Sequence, residues 1–345
     1  MKRARILAAA LGTLLLLVGA GTAAVHRALS ALAPSAPEVL FNVARGTSLT
    51  QISRDLEAAG LVRSAVAVEW LARARGLAEE LRAGEYWLSS SLPPGEILTR
   101  IALGQVATHE VVLPEGLTAR EIGERLAAAG LTDVEVFAET VRDPKLAAEL
   151  GVEGETLEGY LFPNTYRLPR GLPAREIAQH LVEQFLAVWR TLEPRAQRQQ
   201  LGMRELVTLA SIVEKESGVA DERPLIASVF RNRMLRGMRL ESDPTVIYGI
   251  PDFDGNLRRR DLENTANPYN TYRIRGLPPG PIANPGADAL RAVVEPAESE
   301  YLYFVSRNDG THTFSRTYRE HVRAVDRYQR RRRARAKLPA EAPAD

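Results

Sequence analysis

The stretch "LASIVEKES", residues 209–217, runs from apolar side chains into two carboxylates, Glu214 and Glu216, and then Ser217. At about 100° per residue, with Leu206 as origin, Leu209, Ala210 and Val213 share one stripe of a helix. Glu216 then lies at about 280°, between Leu209 and Ile212, and Glu214 at about 80°, between Val207 and Ala210. The two acids border the apolar face on opposite edges, so one small pocket cannot hold both. A carboxyl on such an edge is short of water, which disfavours its charged form and raises its pKa. A group so tuned can protonate a leaving oxygen and, once ionised, remove a proton. The same pattern also fits the solvated end of an ordinary core helix, and periodicity alone does not choose.

A second source of polar groups is the stretch 238–286, rich in Pro, Gly and Asn and without strong periodicity. Segments of that length in a compact domain are more often functional than connecting. It carries "ESDPTVIYG" (241–249) and "NPYNTYRIRGLPPGPIANPG" (267–286), which supply Asp243, Tyr248, Asn270 and Tyr272. Upstream, "LEGYLFPNTY" (157–166) adds Glu158 and Tyr160. Such side chains on proline-stiffened backbone suit a carbohydrate groove. They equally suit hydrogen bonds that hold the loops themselves. His312, in "THTF", is a strand residue beside an aromatic and fits either a groove wall or a structural role. Signatures of other chemistries are missing: H-E-x-x-H, G-x-S-x-G and G-x-x-x-x-G-K do not occur. Five scattered histidines and no cysteine make no ligand pattern, so the residues call for no metal and no cofactor.

These groups must be positioned by helices expected over 174–190, 204–217 and 220–237, an aromatic-rich hairpin over 300–314 and a last helix from Thr317. The amino-terminal half contains a repeat. "FNVARGTSLTQISRDLEAAGLV" (41–62) aligns without gaps on "VVLPEGLTAREIGERLAAAGLT" (111–132), with Gly46 on Gly116, Ile52 on Ile122 and Leu56 on Leu126. Each copy reads as a strand, a glycine turn, a hydroxyl cap and an amphipathic helix ending at glycine. "YWLSSSLPPGEI" (86–97) and "YRLPRGLPAREI" (166–177) continue the match after ten extra residues in the second copy. The expected unit is strand, helix, helix, strand, followed by another helix.

At 345 residues the chain calls for more than one domain. Lys2, Arg3 and Arg5 precede the uncharged run Ile6–Val25, which as a helix spans about 30 Å, the thickness of a bilayer's hydrocarbon core. That predicts a cytoplasmic residue 1–5 segment, a membrane anchor over 6–25 and an exported body; a cleaved signal peptide is the competing reading. A Pro/Ala linker closes the segment 26–38. The net charge is +2, yet 327–337 alone carries seven positive charges, so the remainder, +2 less 7, is −5. The basic character belongs to the tail, where a solvated segment, anionic lipid or wall polymer is expected and nucleic acid is not.

In combination, "EGYLFPNTY", "LASIVEKES", "SDPTVIYG", "PYNTY" and "GLPPGPIANPG" resemble the YceG-like family of endolytic murein transglycosylases, from the anchor to about residue 325. "VARGTSLTQISRDL" (43–56) is also similar to a LysM module, whose βααβ unit binds N-acetylglucosamine polymers. The resemblance implies an α+β protein: a transmembrane helix, a LysM-like βααβ subdomain over 39–107, a mixed α+β catalytic domain over 108–326 and a tail over 327–345. It implies a lyase that cuts the bond between N-acetylmuramic acid and N-acetylglucosamine within glycan strands, leaving 1,6-anhydro ends. An acid followed by Ser or Thr marks the catalytic residue in many lytic transglycosylases, which assigns the role to Glu216 beside Ser217, with Glu214 as the alternative. Glu158, Tyr160, Asp243, Tyr248, Asn270, Tyr272 and His312 become the expected substrate contacts. The implied partners are peptidoglycan strands, the membrane, and wall-synthesis or division proteins. A non-catalytic scaffold that binds the wall is the alternative function.

Overall fold

The computed structural model describes residues 2–330; Met1 and all but 327–330 of the tail expected over 327–345 lie outside that range. The chain divides into two units. One runs to His109 and includes Arg167–Gly171; the other takes Glu110–Tyr166 and the chain from Leu172 onward. The architecture is mixed α+β, with helices predominating and three two-stranded sheets among the described residues.

The first unit begins with helix α1 (Lys2–Ala28), which runs three residues past the apolar stretch read from the sequence. Its Leu11–Ala28 portion is long and apolar enough to cross a membrane and is not buried by the protein. There follow β1 (Val39–Val43), α2 (Leu49–Ala58), α3 (Ala65–Ala74), β2 (Gly84–Leu88) and α4 (Pro94–Leu103). The hydroxyls of Ser48 and Ser64 accept from the amides of Gln51 and Ala67, satisfying donors that the first turns of α2 and α3 leave free. β1 and β2 are antiparallel, with Phe41 opposite Tyr86. Alternate residues Phe41, Val43, Tyr86 and Leu88 turn inward and meet Ile52, Leu56, Val68, Ile97 and Ile101 in one core.

The repeat is present in three dimensions. β3 (Thr108–Leu113), α5 (Ala119–Ala128), α6 (Val134–Val141), β4 (Asn164–Pro169) and α8 (Ala174–Arg198) reproduce the order of the first copy, and β3 pairs with β4. The short helix α7 (Pro144–Glu149) and the loop after it hold the additional residues. Gly46 and Gly116 both have φ +77°, a backbone conformation open to glycine at little cost. Tyr86 donates to the carbonyl of Arg82 at 2.7 Å and Tyr166 to that of Phe162 at 2.6 Å, the same four-residue reach in each copy. Helix α8 extends past the expected end at Arg190, through Pro194, because Leu192 and Ala196 are buried and hold its last turns.

The remainder is built around α9 (Met203–Glu216), in which every residue from Leu206 to Val213 is buried. It is packed against α8, α10 (Arg223–Leu235), α11 (Asp243–Tyr248) and α13 (Ala287–Val294). α11 and α12 (Arg259–Glu263) lie within the stretch expected to be irregular. A hairpin of β5 (Tyr303–Ser306) and β6 (His312–Ser315) follows, then α14 (Tyr318–Val325), capped by Thr317, and a π-helical turn over Asp326–Arg330.

Candidate active site

Glu216 is the last residue of α9. The helix stops because Ser217 takes an extended conformation (φ −90°, ψ 113°) and turns its hydroxyl back onto the carbonyl of Val213 at 2.6 Å. Gly218 follows, where a Cβ would lie 2.5 Å from the carbonyl oxygen of Gly310 at the hairpin tip. Only glycine permits that approach. The carboxyl thus faces a cleft of about 440 Å³ whose walls include Arg233, Asp243, Tyr272, Phe304 and His312.

Within the cleft Glu216 is half-buried, and its Oε1 accepts a 2.6 Å hydrogen bond from Ser242 Oγ. Burial is the main cause that pushes its pKa up to about 7, with the charge of Asp243 adding to the rise; the Ser242 hydrogen bond and the Arg233 guanidinium oppose it. At neutral pH the group is divided between acid and base.

Ser242 is presented by a strained turn. Glu241 has φ +51°, unusual for a residue with a side chain, and is held there by its amide on the Thr271 carbonyl (3.2 Å) and its carboxylate on Arg233 (3.2 Å). The Ser242 amide donates to Thr271 Oγ1 at 3.0 Å, and its carbonyl accepts from Thr245 Oγ1 at 2.7 Å. Arg233 is itself buried; it donates to the carbonyls of Leu302 (2.6 Å) and Leu240 (2.8 Å) and lies 5.1 Å from the ring centre of Tyr303. It therefore joins α10, the strained turn and the hairpin.

Asp243 Oδ1 accepts from the Tyr272 hydroxyl at 2.7 Å; burial, and then that carboxylate, hold the phenol well above its ordinary pKa. His312 is fixed by Glu222, which takes its Nδ1 at 2.7 Å and its backbone amide at 3.0 Å. With Nδ1 so engaged, Nε2 is the ring atom left for a ligand.

Glu214 occupies the opposite edge of α9. Its carboxylate pairs with Arg223 at 2.8 Å and accepts from the Gly286 amide at 3.0 Å, with 7% of the side chain exposed. Arg223 also reaches Glu115 at 3.1 Å.

Of the expected substrate contacts, Asp243, Tyr272 and His312 line the Glu216 cleft and four do not. Tyr160 is fully buried, donating to the Glu153 carbonyl at 2.7 Å and meeting Phe185 edge-on. Asn270 is also fully buried; its side-chain amide donates to the carbonyls of Asp261, Leu262 and Asn264. Glu158 and Tyr248 meet each other at 3.2 Å, and Glu158 also accepts from the Ala119 amide (3.0 Å) and Asn284 Nδ2 (2.9 Å). Burial pushes Glu158 up to about 7 as well, but in a structural joint. A chain with little regular hydrogen-bonding must satisfy its buried carbonyls and amides with its own side chains, which accounts for these placements.

The sequence reading passed over Ser242, Arg233 and Phe304. Arg233 had a legible signal, since it continues the buried stripe Ile226, Val229, Phe230 of α10 as a charge on an apolar face. Among the described residues no group of His, Asp or Glu is arranged to hold a metal.

The model of the YceG-like family matches residues 41–327. A Bacillus subtilis protein named endolytic murein transglycosylase is 29% identical over 311 residues, covering 84% of either chain. A Streptococcus pneumoniae protein of the same name is 29% identical over 323 residues, covering 83% of this chain and 58% of its own length. The crystal structure of a YceG-like protein from Listeria monocytogenes has a TM-score of 0.58 and 31% identity, covering 84% of this chain and 99% of that one. With the family model spanning both copies of the repeat and Glu216 with its cleft neighbours Arg233, Asp243, Tyr272 and His312, the chain belongs to the YceG-like family.

Proposed function

We propose that this protein is a membrane-anchored lyase, an endolytic transglycosylase of peptidoglycan in which Glu216 is the single acid and base. The observation that carries the reading is a cleft-lining carboxyl with a pKa of about 7, met by the Ser242 hydroxyl, while its neighbours Asp243 and Glu241 are engaged by Tyr272 and Arg233. Protonated Glu216 gives its proton to the glycosidic oxygen between N-acetylmuramic acid and N-acetylglucosamine, and the C1–O bond breaks. The resulting carboxylate takes the proton of the muramic acid 6-hydroxyl as that oxygen bonds to C1. A 1,6-anhydro ring and a free 4-hydroxyl result, the acid is regenerated and no water is consumed. One carboxyl suffices for this route, whereas glycoside hydrolysis uses a pair.

Asp243, Tyr272 and His312 are the proposed sugar contacts. The β1–α2–α3–β2 order supports a LysM-like role for 39–107 and leaves catalysis to 108–326. Helix α1 would hold the enzyme at the membrane, with the amino terminus cytoplasmic and the body outside. An internal cutter kept there meets strands as they are made, so it would limit their length. The test is digestion of purified glycan strands by the full chain in detergent, read by mass spectrometry. Anhydro ends are expected from the wild type and none from Glu216→Gln. Strand binding without anhydro ends in the wild type would favour the wall-binding scaffold instead.

A further inference from the structure

Helix α3 has two apolar faces. Ala65, Val68 and Ala72 are buried in the core of the first unit, while Val66 and Trp70, one turn apart on the other side, are 65% and 70% exposed. An isolated exposed tryptophan is ordinary. This pair, however, forms one wall of an apolar groove of about 550 Å³ whose other wall is Ala24, Val25, Ala28 and Leu29 at the end of α1. Ser64 is the sole polar side chain lining it. The join between the walls is held. Arg63 donates to the carbonyl of Leu32 at 3.1 Å, and the Leu32 amide donates to the Ser90 carbonyl at 2.8 Å.

The depth of this groove follows from α1. Its uncharged run stops at Val25, and His26 and Arg27 come next. If about 30 Å of helix fills the hydrocarbon core, the turn that lines the groove lies at the outer edge of that core. An indole there places its ring against acyl chains and its N–H among headgroups. Leu14–Val18, further along α1, are exposed apolar residues as well, which a bilayer would already cover. Arg27 and Arg63 are exposed at the same end and suit anionic headgroups.

We infer that the Val66–Trp70 face of α3 is a lipid-contacting surface, seated at the headgroup boundary of the membrane that α1 crosses. The inference rests on reading α1 as a membrane-spanning helix. It does not depend on Glu216 or on glycan cleavage.

The chain has three tryptophans, so Trp87→Phe with Trp189→Phe leaves Trp70 as the reporter. The full chain so altered is reconstituted into protein-free vesicles of phosphatidylcholine and phosphatidylglycerol containing phosphatidylcholine brominated at either end of its acyl chain. Flotation is read first, because a chain that does not float removes the spanning reading and the inference with it. In floating vesicles Trp70 emission should be quenched several-fold more by bromine near the headgroup than by bromine near the terminal methyl, and little by aqueous iodide. Emission untouched by either bromolipid and open to iodide would overturn the lipid contact while leaving the anchor intact. Shielding that arises only when other membrane proteins are added would overturn it equally, in favour of a protein partner.

Discussion

Two carboxylates with one residue between them meet opposite fates at the end of α9. Glu214 is tied to Arg223 and the Gly286 amide, whereas Glu216 has the Ser242 hydroxyl and an open cleft. Glu214→Ala should therefore destabilise the second unit, by about 2 kcal/mol, since it removes the hydrogen bonds to Arg223 and the Gly286 amide and leaves the half-buried Arg223 with Glu115 alone; chemical denaturation checks this. Glu216→Gln should leave the denaturation midpoint near that of the wild type and lower cleavage by at least about 100-fold, the usual scale of a lost general acid. The wild-type rate should fall as pH rises through about 7, because the first step needs the protonated carboxyl. The Ser242 hydroxyl favours the ionised form, so Ser242→Ala should shift that limb to higher pH; a pH–rate profile reads both. Helical geometry put the two acids on separate edges from the sequence alone. It could not say which edge met a cleft, because Ser242 lies 26 residues further on. Tyr160 and Asn270 were misleading for a related reason: their polar atoms serve nearby carbonyls.

Between elements, the decisive contact is the one between the turn after α9 and the β5–β6 hairpin. A side chain at Gly218 would collide with the backbone of Gly310, so Gly218→Ala should displace His312 and Phe304 relative to Glu216. The expected result is a loss of cleavage of about tenfold to 100-fold, with thermal stability changed far less, since small misplacements of catalytic groups are costly. The duplicated elements were legible because each is announced by a glycine, a capping hydroxyl and a helical stripe, and the structure repeats those features at the same offsets. α11 and α12 were not, because helices of six and five residues make fewer than two turns and show no period. Arg233 shows how a charge on a buried stripe can mark a junction between segments distant in sequence.

At the scale of the molecule, stability carries a pH signature. Glu158 titrates at about 7 when folded, against an ordinary value of 4.5, so between those limits the folded state keeps a proton that the unfolded chain has lost. Its contribution is then greatest in acid and declines as pH rises toward 7, by about 3 kcal/mol in all. Glu216 adds a dependence of the same sign, so Glu158→Gln should roughly halve the fall of melting temperature with pH between 5 and 8 and the double variant with Glu216→Gln should flatten it, which thermal melts across that range would show. The repeat has a further consequence. Gly46 and Gly116 share a backbone shape, but space around the first is open, while the second lies against Glu214 and its carbonyl receives Lys215 at 3.1 Å. One copy of the bend braces α9 and its twin stands idle. An epitope tag spliced in beside Gly46 should go unnoticed by the enzyme, whereas the same graft beside Gly116 would unseat the brace.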